Sequence, residues 1–357
     1  GCAVGYELAL RGAAVQIVDA RPSGFGATQA SAGMLAPFTE AADGGPLLDL
    51  GARSLDRYDA FVAGVREDSG MAVAYERTGS LHVARLEETL THFTGMQRAL
   101  DARGVAWERL EPAAAREREP HLAPDIFGAL LIPSQGHVAA FDLTRALAAA
   151  AERCGARLLN NTPVRLVRAA GGRLEALTAA GTLRAATVVL AAGAWSGEVE
   201  IDGVATRVPV KPVRGQILHL GWQGGLPRRI TWDERCYLVP RRDGTLLVGA
   251  TVEDAGFEER STVAGVRELL EAACDLLPHA WTASLLDVKV GLRPGSPDPL
   301  PAIGWSASVP GLMYATGHYR NGVLLAPLTA HLVADAILDG TRDAAFDVTD
   351  PGRFGAL

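Results

Sequence analysis

The sequence predicts an α/β fold built on two sheets, one parallel and one largely antiparallel, and three stretches carry that prediction. From Leu312 to Leu338 an apolar run, a polar loop and a long amphipathic pattern follow one another, the order of a buried strand delivering a helix. From Gly1 to Asp19 a small-residue helix, a tight turn and an apolar strand run in the opposite order. From Lys211 to Thr251 three strand-like runs follow one another, and Asp243-Gly244 is a strong hairpin signal between the last two.

In the first stretch, Leu312 to Thr316 follows a Pro310-Gly311 turn and reads as a buried strand. Leu324, Leu328, Leu332 and Ala336 then recur every four residues, with Leu325, Val333 and Ile337 beside them, so the second half is a helix with a buried stripe. Proline is tolerated only in a first turn, where amides lack intrahelical partners, so the helix begins within about four residues before Pro327. Gly340 ends it. The loop GHYRNG lies between strand and helix, where free N–H groups and about half a positive charge suit an anion. An ordinary strand-to-helix turn with an exposed Arg320 explains the same residues, and the loop alone does not decide.

Gly1 to Arg11 reads as a helix with Gly1 and Gly5 on one face, stopped by Gly12, and Ala14 to Val18 as a strand ending in Asp19. This is the back half of a dinucleotide-binding βαβ unit. Gly1 takes the place of the last glycine of GxGxxG, with the first strand and two glycines of the unit expected before residue 1. Asp19 stands where a carboxylate accepts from ribose hydroxyls. The segment ATQASAGMLAP, Ala27 to Pro37, is small and polar, fitting either backbone packed on a flat ligand, with Thr28 and Ser31 offering hydroxyls to phosphate, or a surface loop.

Further along, helical spacing covers Leu47 to Val65, a strand Ser80 to Ala84, a helix Glu87 to Arg103 capped by Gly104, and a solvated helix Glu111 to Pro120. Short strands are expected at Leu130–Pro133 and Gly136–Val138, and Asp142 as the cap of a helix Leu143 to Cys154. Val164 to Leu190 alternates strands with glycine turns and closes on Ala192-Gly193-Ala194-Trp195, so the parallel architecture resumes there. In the antiparallel region the strands are Lys211–Leu220, Arg235–Arg241 and Thr245–Thr251; Tyr237 and Val239 share a face, the phenol serving either a cavity or the core. A helix Gly265–Leu277 and a strand Leu285–Gly291 lead to Arg293 and a proline-rich loop.

The chain has 357 residues, enough for about two domains. With 48% apolar and 21% charged residues it is an ordinary globular chain, and a net charge of −7 argues against a nucleic-acid partner. The segment Arg207 to Arg242 is locally basic, as a solvated face or as a funnel for anionic substrates. Cys2, Cys154, Cys236 and Cys274 are isolated, which fits a reducing cytoplasm and no redox pair, and the eight histidines form no metal motif. Lys211 and Lys289 are the only lysines, few candidates for a Schiff base. No apolar run approaches the roughly 20 residues that span a bilayer.

The pieces GCAVGYELALRG, VDA, ATQASAGMLAP, CYLVPR, GLRPGSPDPLPAIG and GHYRNGVLLAP together resemble the flavin-dependent amino acid oxidases of the D-amino acid oxidase superfamily, above all the glycine oxidases of thiamine biosynthesis. The resemblance implies a Rossmann-like FAD-binding domain in segments 1–72, 139–203 and 288–357, without its first strand, and a substrate domain in 73–138 and 204–287. It implies non-covalent FAD held by Gly1, Asp19, Ala27, Thr28, Ala32, Gly33, Met34, Val164 and Gly193, with His318, Tyr319, Arg320, Asn321, Gly322, Val323 and Leu324 around the flavin. Arg293 would clamp the substrate carboxylate, with Tyr237, Arg320 and Met34 completing the pocket. The implied reaction is hydride transfer from a small amino acid or amine to flavin, then reoxidation by oxygen to peroxide, in a homotetramer. A flavin dehydrogenase or sarcosine-type oxidase, and a silent small-acid-binding module, are the alternatives. Lacking that first strand, the chain is expected to bind FAD poorly and to regain it with about 15 upstream residues.

Overall fold

The computed structural model describes residues 1–40 and 44–357. Two of the parallel pairings among the described residues are Gln16–Val18 beside Arg157–Leu159, and Val188–Leu190 beside Leu312–Thr316, which also pairs antiparallel with Ala302–Trp305. Helix Cys2–Leu10 packs between helices Ala140–Arg153 and Ala326–Ala334. Gly5 lets this helix close on strand Gln16–Val18, because a Cβ there would lie 2.5 Å from Ile17 Cδ1. A four-stranded sheet runs Gly181–Ala185, Arg173–Thr178, Val164–Ala170, Glu200–Ile201, antiparallel except that the last strand pairs parallel with Val164–Ala170.

The second sheet has eight strands in the order Ser284–Gly295, Lys211–Gly221, Thr245–Gly249, Tyr237–Pro240, Ile230–Trp232, Ser80–Ala84, Gly128–Ile132, Glu108–Leu110. Every pairing is antiparallel except Ile230–Trp232 with Ser80–Ala84, the seam where two segments far apart in the chain meet. Alternation along these strands sorts the side chains. Leu81, Val83, Leu218, Leu220, Leu238, Leu246 and Val248 bury one face against helix Val263–Leu276, each contributing roughly 1.5–3 kcal/mol. Ile217, Ile230, Tyr237 and Val239 lie on the other face with Ala32, and Met34 packs on them. A small sheet of Met34–Leu35, Gly136–Val138 and Tyr75–Glu76 borders that face.

Several expectations need correction. Leu47 to Val65 is two helices, Pro46–Leu55 and Tyr58–Ser69, although Leu50, Leu55, Tyr58 and Val62 are all buried. Ser54 Oγ donates to the Leu324 carbonyl at 2.6 Å and Tyr58 Oη to the Val323 carbonyl at 2.7 Å, so both side chains turn toward the same loop. Asp142 is not a cap; the helix begins at Ala140 and Asp142 sits in its first turn. The strand expected from Arg235 begins at Tyr237, because Asp233 Oδ1 accepts the amides of Arg235 and Cys236 in a tight turn. Within the basic stretch Arg214 pairs with Glu253 and Arg235 with Asp275.

Candidate functional site

The loop after strand Leu312–Thr316 is built as its sequence required. Helix Ala326–Ala334 has Pro327 in its first turn, continues as a π turn Asp335–Asp339, and stops at Gly340 with φ of 66°. Gly317 turns the chain with φ of 73°, and Tyr319 holds φ of 46°, a conformation that a bulky residue keeps only when its surroundings impose it. The Tyr319 amide donates to the Pro294 carbonyl at 2.9 Å, which ties this loop to the strand end carrying Arg293. Asn321 is buried, and its carbonyl accepts from the Leu325 amide at 2.8 Å.

Around that loop lie the other candidates. His318 is within 3.1 Å of Thr329 Oγ1, and burial pushes its pKa well below the ordinary imidazole value. Gly1 lies 4.0 Å, measured from its missing Cβ, from Ala191 at the end of strand Val188–Leu190. Gly193 turns the chain there with φ of 55°, its carbonyl held by the hydroxyls of Ser196 and Thr316. Asp19 follows the first strand, takes the Arg21 amide on Oδ1 at 2.9 Å, and accepts the Thr162 amide on its own carbonyl at 2.8 Å, two residues before strand Val164–Ala170 begins. Thus the ends of three parallel strands and the start of helix Cys2–Leu10, which has no side-chain cap, converge.

The segment Ala27 to Met34 is small for reasons internal to the protein. A Cβ on Gly33 would fall 1.8 Å from the Val138 carbonyl, and one on Gly291 would fall 3.1 Å from the Ala27 backbone, so the strand carrying Arg293 crosses directly over this turn. Ser31 Oγ accepts the Gly33 amide at 3.1 Å, shaping its own loop. Ala27 and Thr28 lie in a 3-10 turn, and Ala32 is buried beneath Tyr237's face of the sheet.

On that face Arg293 and Tyr237 lie over bare glycines. A Cβ on Gly215 would meet the Arg293 guanidinium at 2.3–2.5 Å, and one on Gly249 would meet the Tyr237 phenol at 2.4–2.6 Å. Arg293 Nη1 donates to the carbonyls of Thr251 at 3.0 Å and Arg214 at 3.3 Å. Among the described residues no carboxylate lies within ion-pair distance of Arg293, in contrast to neighbouring Arg214 and its Glu253. Arg320 lies over the Trp232 ring, 5.9 Å from its centroid, and Trp232 contacts Tyr237 at 5.5 Å. Sequence reading missed Trp232, Gly215 and Gly249. The two glycines were findable, since glycine inside a strand marks a close approach.

A family model described as FAD dependent oxidoreductase matches residues 1–336. The chain belongs to that family of FAD-dependent oxidoreductases. It is 35% identical to the glycine oxidase of Geobacillus kaustophilus (strain HTA426) over 98% of this chain and 92% of that protein. It is 36% identical to the bifunctional protein ThiO/ThiG of Nostoc sp. (strain PCC 7120 / SAG 25.82 / UTEX 2576) over 96% of this chain and 52% of that protein, so the chain spans about half the length of the bifunctional relatives it matches. The crystal structure of the Geobacillus kaustophilus glycine oxidase superposes with a TM-score of 0.95 at 34% identity, covering 99% and 95% of the two chains.

The residues fit the cofactor of this family. An uncapped helix amino terminus suits a pyrophosphate, and Asp19 has an oxygen beyond the one its own loop engages. Among the described residues no cluster of His, Cys, Asp or Glu could hold a metal ion, and no helix is long and apolar enough to cross a membrane.

Proposed function

We propose that this flavoprotein oxidatively deaminates glycine or a comparably small amino acid or amine, giving the imine and then 2-oxo acid and ammonia, with oxygen as acceptor. The observation that carries the reading is Arg293: a guanidinium laid flat over Gly215, anchored through one nitrogen to neutral carbonyls, and without a carboxylate partner among the described residues. Such a group takes a carboxylate in a bidentate pair. Tyr237 hydrogen-bonds the same carboxylate, and Arg320 and Met34 bound the space in front of it.

FAD, when bound, supplies the two-electron acceptor for the substrate's α-hydrogen and returns the electrons to oxygen as peroxide. The protein's part is placement. Asp19 takes the ribose hydroxyls, Val164 meets the adenine through its backbone, Gly1 and Gly193 border the phosphates, and Ala27, Thr28, Ala32, Gly33 and Met34 line one side. His318, Tyr319, Arg320, Asn321, Gly322, Val323 and Leu324 enclose the ring system, where amides at the helix start favour negative charge. His318, held neutral by burial, adds no charge of its own there. In this reading segments 1–72, 139–203 and 288–357 bind FAD and 73–138 and 204–287 bind substrate, the protein is cytoplasmic and tetrameric, and its product feeds the thiazole branch of thiamine synthesis.

Purified protein should be yellow, bleach anaerobically with glycine and consume oxygen with glycine, sarcosine and small D-amino acids. Protein reconstituted with FAD that no small amine reduces overturns the proposal. Bleaching without oxygen uptake would indicate a dehydrogenase.

A further inference from the structure

Trp232 ends strand Ile230–Trp232 and stands directly opposite Tyr237 in the ladder. Its indole touches Tyr237 on one side and lies under the Arg320 guanidinium on another, so it borders two groups assigned above to the substrate. Behind it is His82, its partner in the parallel register, with ring planes 24° apart and centroids at 5.9 Å.

His82 belongs to a polar cluster set into the sheet. Its Nε2 is 2.9 Å from Thr39 Oγ1 and 3.1 Å from Ser80 Oγ, and Gln135 Nε2 donates to Ser80 Oγ at 2.5 Å and to Thr39 Oγ1 at 3.2 Å. His82, Ser80 and Gln135 are all buried. Burying such groups is unfavourable unless they satisfy one another, and a phenylalanine would fill the place of His82 without that demand. What the cluster gains is orientation, because hydrogen bonds at the imidazole edge fix the ring plane and the stack passes that plane on to the indole. The imidazole is also neutral, its pKa lowered to about 4 by burial, so no second cation stands behind Arg320.

We propose that Trp232 is the wall that limits substrate size in the amine pocket, and that His82 is a positioning residue acting through it. The inference rests on the oxidase reading above. Together they confine turnover to substrates whose α-carbon or nitrogen carries no bulky group, since an indole held from behind cannot swing aside.

The test uses flavin-loaded enzyme and the ratio of kcat/KM for D-leucine or N-propylglycine to that for glycine. Trp232→Ala should raise one of these ratios at least about tenfold, and Trp232→Phe by less. His82→Ala should move the same ratio in the same direction by about threefold, with KM for glycine rising more than kcat falls, and His82→Phe, which keeps the stack, should restore most of the wild-type ratio. Unchanged ratios in both Trp232 variants, or a His82→Ala enzyme that loses flavin and all activities in parallel, overturn the inference. If wild-type enzyme oxidises glycine while the ratios stay fixed, only the inference fails. If it oxidises no amine, the functional reading fails first.

Discussion

The two faces of the eight-stranded sheet are made by the same strands, yet they are chemically unlike. One is closed by leucine, valine and alanine against helix Val263–Leu276. The other carries Arg293, Tyr237, Trp232 and His82 among Gly215, Gly249 and Gly291. The sealed face fills its space with side-chain volume, whereas the other leaves bare backbone on which long polar side chains lie flat. A one-residue alternation therefore separates stability from chemistry.

Substitutions on the two faces should break differently. The largest effect is expected from Arg293→Ala, a loss of about 30-fold to several thousandfold in kcat/KM for glycine, since truncating one partner of a buried charge pair costs ~2–5 kcal/mol. A smaller loss in steady-state oxygen uptake would shift the clamp to Arg320. On the sealed face, Leu246→Ala should cost about 2–5 kcal/mol of stability in denaturant melts, because Leu246 is fully buried, while turnover per bound flavin stays at the wild-type value. Altered turnover there would mean that the faces are coupled. Tyr237→Phe should lower kcat/KM by roughly 10- to 150-fold, the loss of a hydrogen bond of about 1.5–3 kcal/mol to a charged group, with stability little changed.

The smallest effect concerns acid. Burial puts His82 and His137 at about 4, and the nearby Arg241 adds to the lowering at His137. An unfolded histidine titrates near about 6.5, so as pH falls from there toward 4 the unfolded chain takes up protons that the folded chain refuses, and stability declines. Urea midpoints measured across that window should fall less steeply for His82→Phe than for wild type. Parallel curves would show that the imidazole is not held neutral.

Much of the parallel half was legible because its signals are local. The apolar run at Leu312, Pro327 in a first turn and Gly340 beyond the last one each act through neighbours in the chain. The contacts of Ser54 and Tyr58 were not, because their partners are carbonyls far along the sequence. Trp232 was invisible for a similar reason, since its place depends on a parallel register with His82 that nothing near either residue encodes. The smallness of Gly33 pointed to close packing correctly, but its nearest neighbour is the Val138 carbonyl.

Those same two hydroxyls of Ser54 and Tyr58 have a wider effect. With the carbonyls of Leu324 and Val323 fixed from below, the orientation of the peptide groups above them is settled when the chain folds, and a ligand arriving at this loop has little backbone freedom left to quench. For the ring system proposed to bind here, recognition is therefore a matter of matching a preset outline, and a guest of different shape would be turned away by geometry.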